Sequence, residues 1–247
     1  MTVERAAELL SAARSGVAFT GAGASAESGI PTFRGVGGLW SKYDPIKVAS
    51  INSFMQDPTA YWTVSKERGG IAIAARPNPG HLALAALEAA GVLVAIVTQN
   101  TDGLHHASGS RRVVEVHGSS RTVQCLDCGM RESRAVVQAR LAVQMPPLCK
   151  SCGGMFLKPT VVLFGEPMPV AAMHEALALA QSADVMLVVG SSLLVHPAAD
   201  IPLAAVRSGA HLIIINAEPT PLDSLAEVVI HGRAGELLPA ILSLLDA

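Results

Sequence analysis

A chain of 247 residues, half of them hydrophobic, is long enough to bury one large core or one core with a small insert. Its formal net charge of −2 gives no basic surface field, so direct nucleic-acid binding is not expected. The apolar residues come in short runs broken by Gly, Pro and Asp, none near the ~18 residues of a membrane span, and Met1 to Arg5 lack the pattern of a secretory signal; a cytoplasmic protein without a membrane partner is expected.

Residues 2–15 predict an amphipathic helix, with Ala6, Leu9, Leu10 and Ala13 on one face and Gly16 ending it. The β-rich run Val17 to Thr20 passes straight into Gly21-Ala22-Gly23-Ala24-Ser25-Ala26, which matches the dinucleotide spacing G-x-G-x-x-G/A. There the first glycine permits a sharp turn and the second lets backbone N–H groups approach a pyrophosphate. Many glycine-rich turns bind nothing, so this match alone is weak. A nicotinamide dehydrogenase would continue into a long helix and place an acidic ribose partner about 20 residues on. Here Ser28-Gly29-Ile30-Pro31 breaks the helix early, and no such acid follows. A dinucleotide is expected, but hydride transfer is not.

The stretch Arg34-Gly35-Val36-Gly37-Gly38 reads as a loop covering a cofactor, although its composition suits an ordinary surface loop equally. Residues 39–79 gather Trp40, Tyr43, Phe54, Tyr61 and Trp62 without β-alternation and predict a helical insert. The α/β rhythm resumes with a helix from His81 to Ala90 closed by Gly91, then a buried strand from Val92 to Thr98. Gln99, Asn100 and Asp102 sit at its carboxyl end, where doubly wound sheets place ligands. A short strand, Val113 to Val116, ends in His117. Later helix–strand pairs fall at about 170–182 with Val185–Val189 and 198–208 with Leu212–Ile215. A strand at Val228–Ile230 and a helix from Gly235 to Leu245 complete the chain.

Between these lie Cys125-x-x-Cys128 and Cys149-x-x-Cys152, separated by 20 residues. Two such knuckles satisfy tetrahedral zinc completely and leave no open position for water, so one structural zinc ion is expected at Cys125, Cys128, Cys149 and Cys152. Thioredoxin-like exchange would need one C-x-x-C rather than two in tandem. A neutral imidazole at His117 has the right pKa for a general base. Spacing alone does not choose it among eight histidines.

The string GAGASAESGIPTFRG resembles the signature of the sirtuins, NAD-dependent protein deacylases, and TQNTDGLH is similar to their TQNIDxLH, with Thr101 in place of the commoner Ile. VEVHGS resembles the segment with their catalytic histidine. KPTVVLFGE (158–166) is similar to a substrate-binding segment, VGSSLLVHPA (189–198) to a cofactor and substrate loop, and INAEPTP (215–221) to the adenosine-ribose segment. The order agrees from about residue 15 to 240.

The resemblance implies an α/β fold: a Rossmann-like doubly wound parallel sheet over 1–38, 80–120 and 158–247, a helical insert at 39–79 and a zinc-ribbon module at 121–157. It implies a cleft holding NAD and acyl-lysine. In that reaction the acyl oxygen attacks C1′ of the nicotinamide ribose and nicotinamide leaves. His117 then serves as base on the ribose, giving free lysine and 2′-O-acyl-ADP-ribose; the other catalytic residues are Asn100, which can bond ribose hydroxyls or hold a water, and Asp102, which can orient a carboxamide. It assigns NAD contacts to Gly21, Ala22, Gly23, Ser25, Glu27, Ile30, Phe33, Arg34 and Trp40 in the first loop. Further contacts are Gln99, Asn100 and Asp102, then Gly190, Ser191 and Ser192, and finally Asn216, Ala217, Glu218 and Ala234. Backbone at Val162, Leu163, Phe164 and Gly165 and at Leu193, Leu194 and Val195 would clamp acyl-lysine proteins by strand addition.

One departure concerns the acyl pocket. Thr32 replaces the common Asp of GIPDFR, and with Gly37-Gly38 and Trp40 it resembles the branch that contains desuccinylases. Ala49 and Arg68 occupy that branch's Ala and Arg positions, but Ser65 stands where its Tyr should be. Deacetylation with weakened desuccinylation is expected. An ADP-ribosyltransferase or NAD hydrolase using the same cleft is the alternative reading; a non-enzymatic zinc-ribbon binding module would leave the polar residues unexplained. The sequence gives no oligomeric state.

Overall fold

Helix α1 (Thr2–Ala12) leads into β1 (Gly16–Thr20), a strand buried along its whole length. These come from a computed structural model that describes residues 2–35 and 37–245. Met1, Val36, Asp246 and Ala247 lie outside the described residues, and with Val36 part of the predicted 34–38 loop. The helix expected over 2–15 ends at Ala12. The Asp184 carboxylate accepts from the backbone N–H groups of Arg14 (2.6 Å) and Ser15 (3.1 Å), drawing the chain out of the helix, and Gly16 already belongs to the strand.

After β1 the glycine loop continues as a short 3₁₀ helix, Ala22–Ser28, ended by Gly29 at φ +81°. Three helices follow, α2 (Pro45–Ala49), α3 (Ile51–Gln56) and α4 (Pro58–Ala74). Each starts on a side-chain cap, from Asp44, Ser50 and Asp57 respectively, and proline opens the first and third. Helix α5 (Pro79–Ala89) is capped by Asn78 and leads to β2 (Leu93–Thr98), α6 (Leu104–Ala107) and β3 (Val113–Glu115). The cysteine segment contributes β4 (Gly118–Cys125), β5 (Arg131–Ser133), α7 (Arg134–Arg140) and β6 (Leu157–Val161). The chain then completes α8 (Val170–Ser182), β7 (Val185–Val189), α9 (Asp200–Arg207), β8 (His211–Asn216), β9 (Val228–His231) and α10 (Ala234–Leu245).

Six strands form one parallel sheet in the order β3-β2-β1-β7-β8-β9. The period of two along each strand divides its side chains between two cores. Ala18, Ile96, Leu187 and Ile213 face the core that includes Leu9, Leu10, Leu84 and Leu238. Val17, Phe19, Val97, Met186 and Val188 face the one with Leu179 and Ile201. The doubly wound parallel sheet expected from the sequence is thus present. The chain leaves β1 toward β2 and β3, then returns to β1's other side as β7. That reversal opens a crevice at the carboxyl ends of β1 and β7.

A second sheet, antiparallel in the order β5-β4-β6, belongs to the cysteine segment. Its core is shared with the helices of residues 45–74. Phe54 and Trp62 pack with Val123, Val137, Leu141, Leu157, Cys125 and Cys149, and the Trp62 indole donates to the Leu157 carbonyl at 3.0 Å. No helix among the described residues is long and apolar enough to cross a membrane.

Candidate active site

The carboxyl ends of β1, β2, β3, β7 and β8 border one cavity of about 1230 Å³, which also runs along α4. At its floor the loops after β1 and β7 meet backbone to backbone. A Cβ on Gly21 would lie 2.8 Å from the Gly190 carbonyl oxygen, and one on Gly23 would lie 2.8 Å from the Gly190 Cα. The Gly23 N–H donates to the Gly190 carbonyl at 2.8 Å. These glycines are required by close approach.

Above that floor a chain of hydrogen bonds fixes the polar groups. The Asn78 N–H donates to His81 Nδ1 (3.4 Å), so His81 Nε2 carries the proton and donates to Ser25 Oγ at 3.4 Å. The Ser25 hydroxyl then donates to Asp102 Oδ2 (2.8 Å) and accepts from Asn100 Nδ2 (3.1 Å). Asn100 Nδ2 also donates to the Gly21 carbonyl (2.9 Å), and Asp102 Oδ1 accepts from the Leu104 N–H (2.9 Å). Asn100, Asp102 and Ser25, far apart in sequence, are one unit. Below them Thr20 and Thr98 end β1 and β2 in register. The Thr20 hydroxyl donates to Thr98 (2.7 Å) and accepts from His105 Nε2 (2.8 Å). Burial pushes the His105 pKa down to about 3, and its Nδ1 is buried without a partner.

His117 follows β3. Its Nδ1 lies 3.1 Å from the Gln99 carbonyl oxygen, which can only accept, so Nδ1 carries the proton and Nε2 is left as a free lone pair. Burial lowers its pKa, opposed in part by the bond to Gln99. The ring lines the cavity.

The cavity also takes in Gly21, Ala22, Gly23, Ser25, Ile30, Phe33, Arg34 and Trp40 from the first loop, and Gln99, Asn100 and Asp102 after β2. Gly190, Ser191, Ser192, Asn216, Ala217 and Glu218 reach it from β7 and β8. Ala49, Arg68, Val162, Leu163, Phe164, Gly165 and Val195 line it too. Four anticipated residues lie outside its lining. The Glu27 carboxylate accepts from the Gly235 N–H (2.7 Å) at the start of α10, beside Ala234. Leu193 turns into the core at φ +54°, while Leu194 is exposed. The flanks of the 34–38 loop are tied: Leu39 and Trp40 N–H groups donate to the Thr32 and Phe33 carbonyls (both 3.0 Å), and the Phe33 and Trp40 rings lie 5.2 Å apart.

Sequence reasoning missed His81, His105, Thr20 and Thr98; the available signal was a threonine at the last position of two neighbouring strands. It also missed Arg134 of α7. The Arg134 guanidinium donates to Ser65 Oγ (2.9 Å) and the Ser65 carbonyl (2.6 Å), stacks on Trp62, and faces the cavity. Gly69 makes room for it, since a Cβ there would lie 2.0 Å from its Nη2. Arg68 lies over the Phe33 ring at 4.5 Å, with Nη1 buried and unpartnered.

The four cysteine sulfurs lie within 4.8 Å of one another, with Cys125 3.7 Å from Cys152 and Cys128 3.6 Å from Cys149. A tetrahedron with Zn–S bonds of about 2.3 Å has edges of about 3.8 Å. The set therefore fits one zinc ion, with no ligand position left over. None of the four lines the cavity, which keeps the metal out of the chemistry.

Residues 21–197 match the model of the Sir2 family. An Archaeoglobus fulgidus protein named NAD-dependent protein deacylase 2 is 49% identical over 97% of this chain and 94% of its own. A Pyrobaculum aerophilum protein of the same name is 49% identical over 95% and 92%. Among solved structures, one of a Sir2 enzyme superposes with a TM-score of 0.94 at 48% identity, covering 99% of this chain and 98% of that one. A Sir2 variant holding a deacetylated p53 peptide and 3′-O-acetyl ADP ribose gives 0.95 at 37% identity, covering 98% of both chains. With the glycine loop, the hydrogen-bonded Asn–Ser–Asp unit and the histidine converging on one crevice, and with these likenesses along the whole chain, the protein belongs to the Sir2 family.

Proposed function

We propose that this chain removes acyl groups from lysine side chains of proteins at the expense of NAD. The observation that carries this is the neutral His117, its Nε2 free, in a cavity bordered on one side by the glycine loop and on the other by the 162–165 segment. NAD, when bound, supplies the ribose that accepts the acyl group as nicotinamide leaves, and one water is consumed as the amine departs; the products are free lysine, nicotinamide and 2′-O-acyl-ADP-ribose. The residues named at the ends of β1, β2, β7 and β8 would hold it. Close packing of Gly21 and Gly23 on Gly190 holds the glycine loop against the β7 loop at the cavity floor, and the G-x-G-x-x-A spacing there suits a pyrophosphate. His117 Nε2 takes the proton from a ribose hydroxyl. Asn100 and Asp102, fixed through Ser25, orient polar groups of the cofactor without side-chain rearrangement, which is the preorganisation catalysis requires. Acyl-lysine peptides enter beside 162–165 and 193–195.

The test is nicotinamide release measured with and without an acetyl-lysine peptide, for the native chain and for His117→Ala. Peptide-dependent release that falls by at least about a hundredfold in the variant supports a general base. Equal release without peptide contradicts the deacylase reading and favours NAD hydrolysis.

The acyl preference is the finer part of the proposal. Arg68 keeps an unpartnered N–H, which suits a terminal carboxylate, while Ser65 is held by Arg134 and supplies no tyrosine-like hydroxyl. Acetyl-lysine is the better substrate, with succinyl-lysine accepted weakly. Arg68→Met should lower kcat/KM for a succinyl peptide about tenfold more than for the acetyl version, the size of one lost charge-assisted hydrogen bond. Parallel loss on both peptides would assign Arg68 to general packing.

A further inference from the structure

Beneath the segment that borders the peptide side of the cavity lies a buried ion pair. The Lys158 side chain is 8% exposed, and its three ammonium protons have three partners: Glu166 Oε2 at 2.9 Å, the Val161 carbonyl at 2.7 Å and the Pro159 carbonyl at 3.2 Å. The same Glu166 oxygen accepts from the Leu163 N–H at 2.8 Å. Lys158 sits in β6 and Glu166 beyond the segment, so the pair closes the loop of residues 161–166 on itself. Its residues are tied by three bonds to two other parts of the chain. The Val162 N–H donates to the His117 carbonyl (2.9 Å), the Phe164 N–H to the Ala49 carbonyl (2.9 Å), and the Phe164 carbonyl accepts from the Ile51 N–H (3.0 Å). Three successive N–H groups, of Val162, Leu163 and Phe164, are thus engaged by the protein itself. Among the described residues, the Val162 carbonyl and the Gly165 N–H have no hydrogen-bond partner.

We propose that Lys158 and Glu166 are positioning residues for the acyl-peptide. They fix the 161–166 turn so that the Val162 carbonyl and the Gly165 N–H are presented to the incoming chain in one geometry. This rests on the deacylase reading. A buried lysine with every proton placed cannot reorient cheaply, and a carboxylate shared between an ammonium and a backbone N–H sets the pitch of the turn. A merely structural pair would lower stability and affect peptide and NAD alike. A positioning pair acts on the peptide, because Lys158 does not line the cavity, Glu166 lines it only in continuation of the 162–165 segment, and the His117 ring is oriented separately, by Gln99.

The experiment compares the full chain with Glu166→Gln and with the double replacement Lys158→Met/Glu166→Met. The double variant leaves no unpaired buried charge and is the one expected to fold if the single variant does not. Binding of a fluorescent acetyl-lysine peptide is measured by anisotropy, with KM for peptide, KM for NAD and kcat by steady-state kinetics. Peptide Kd and KM should rise about tenfold in each folded variant, with KM for NAD within about twofold and kcat within about threefold. Unchanged peptide affinity in a folded variant overturns the proposal. So does an equal shift in NAD and peptide, or the failure of both variants to fold, either of which makes the pair structural. A native chain that binds peptide without turning it over sinks the deacylase reading instead and leaves the binding comparison standing; one that binds no peptide sinks both.

Discussion

The protonation of His117, the proposed base, is set by what its two ring nitrogens meet. The Gln99 carbonyl holds the proton on Nδ1, and burial opposes a second proton on Nε2. Its pKa is lowered, so the active neutral form persists to lower pH than for a free imidazole, and activity is lost only as pH falls through that lowered value. The acid limb of kcat/KM should lie below the ordinary value of 6.5, and a limb at or above it would contradict this environment. His105 makes a separate prediction about stability. It is neutral in the folded protein down to about 3, whereas the unfolded chain takes up its proton near 6.5. Stability contributed by the neutral ring is full above 6.5 and is lost as pH falls between these limits, by at most about 1.4 kcal/mol per pH unit. Urea unfolding at several pH values should show a shallower acid loss in His105→Asn; an unchanged slope would refute this. Neither environment was legible from residue type. VEVHGS pointed to His117 only by resemblance, and the Thr20–Thr98–His105 bonds depend on a strand register that no local pattern displays.

At the scale of elements, the glycine loop, the early stop at Gly29, the strand-end positions of Asn100 and His117 and the cysteine spacing were all readable locally. Each is written in consecutive residues. The end of α1 was not, because it is set by Asp184, some 170 residues away. The role of Arg134 was hidden similarly: α7 belongs to the cysteine segment, yet its first residue reaches α4 through the space left by Gly69. The helical and cysteine segments share a core through Trp62 and Leu157, so the zinc ion should support the wall of the cavity from a distance. Stripping the metal with a chelator should red-shift the emission of the buried Trp62 and lower activity together, and elemental analysis should find one zinc per chain before treatment. Activity retained at full metal loss would show that the cavity wall stands without it.

The whole molecule joins two partners' sites at one sheet edge. Parallel strands place Gly21, Asn100, His117, Gly190 and Asn216 at carboxyl ends that converge, so a cofactor across the β1–β7 reversal lies beside the base. The 162–165 segment, where the proposed peptide would enter, lies on the opposite side and is itself bonded to the backbone of His117. In the proposed reaction one acyl group passes directly between these two partners. Mass spectrometry of a reaction containing the protein, NAD and an acetyl-lysine peptide tests it most directly. Direct transfer yields O-acetyl-ADP-ribose, nicotinamide and deacetylated peptide in equal amounts, all lost in His117→Ala. Free acetate with ADP-ribose from the outset, or ADP-ribosylated protein without deacetylation, would contradict it.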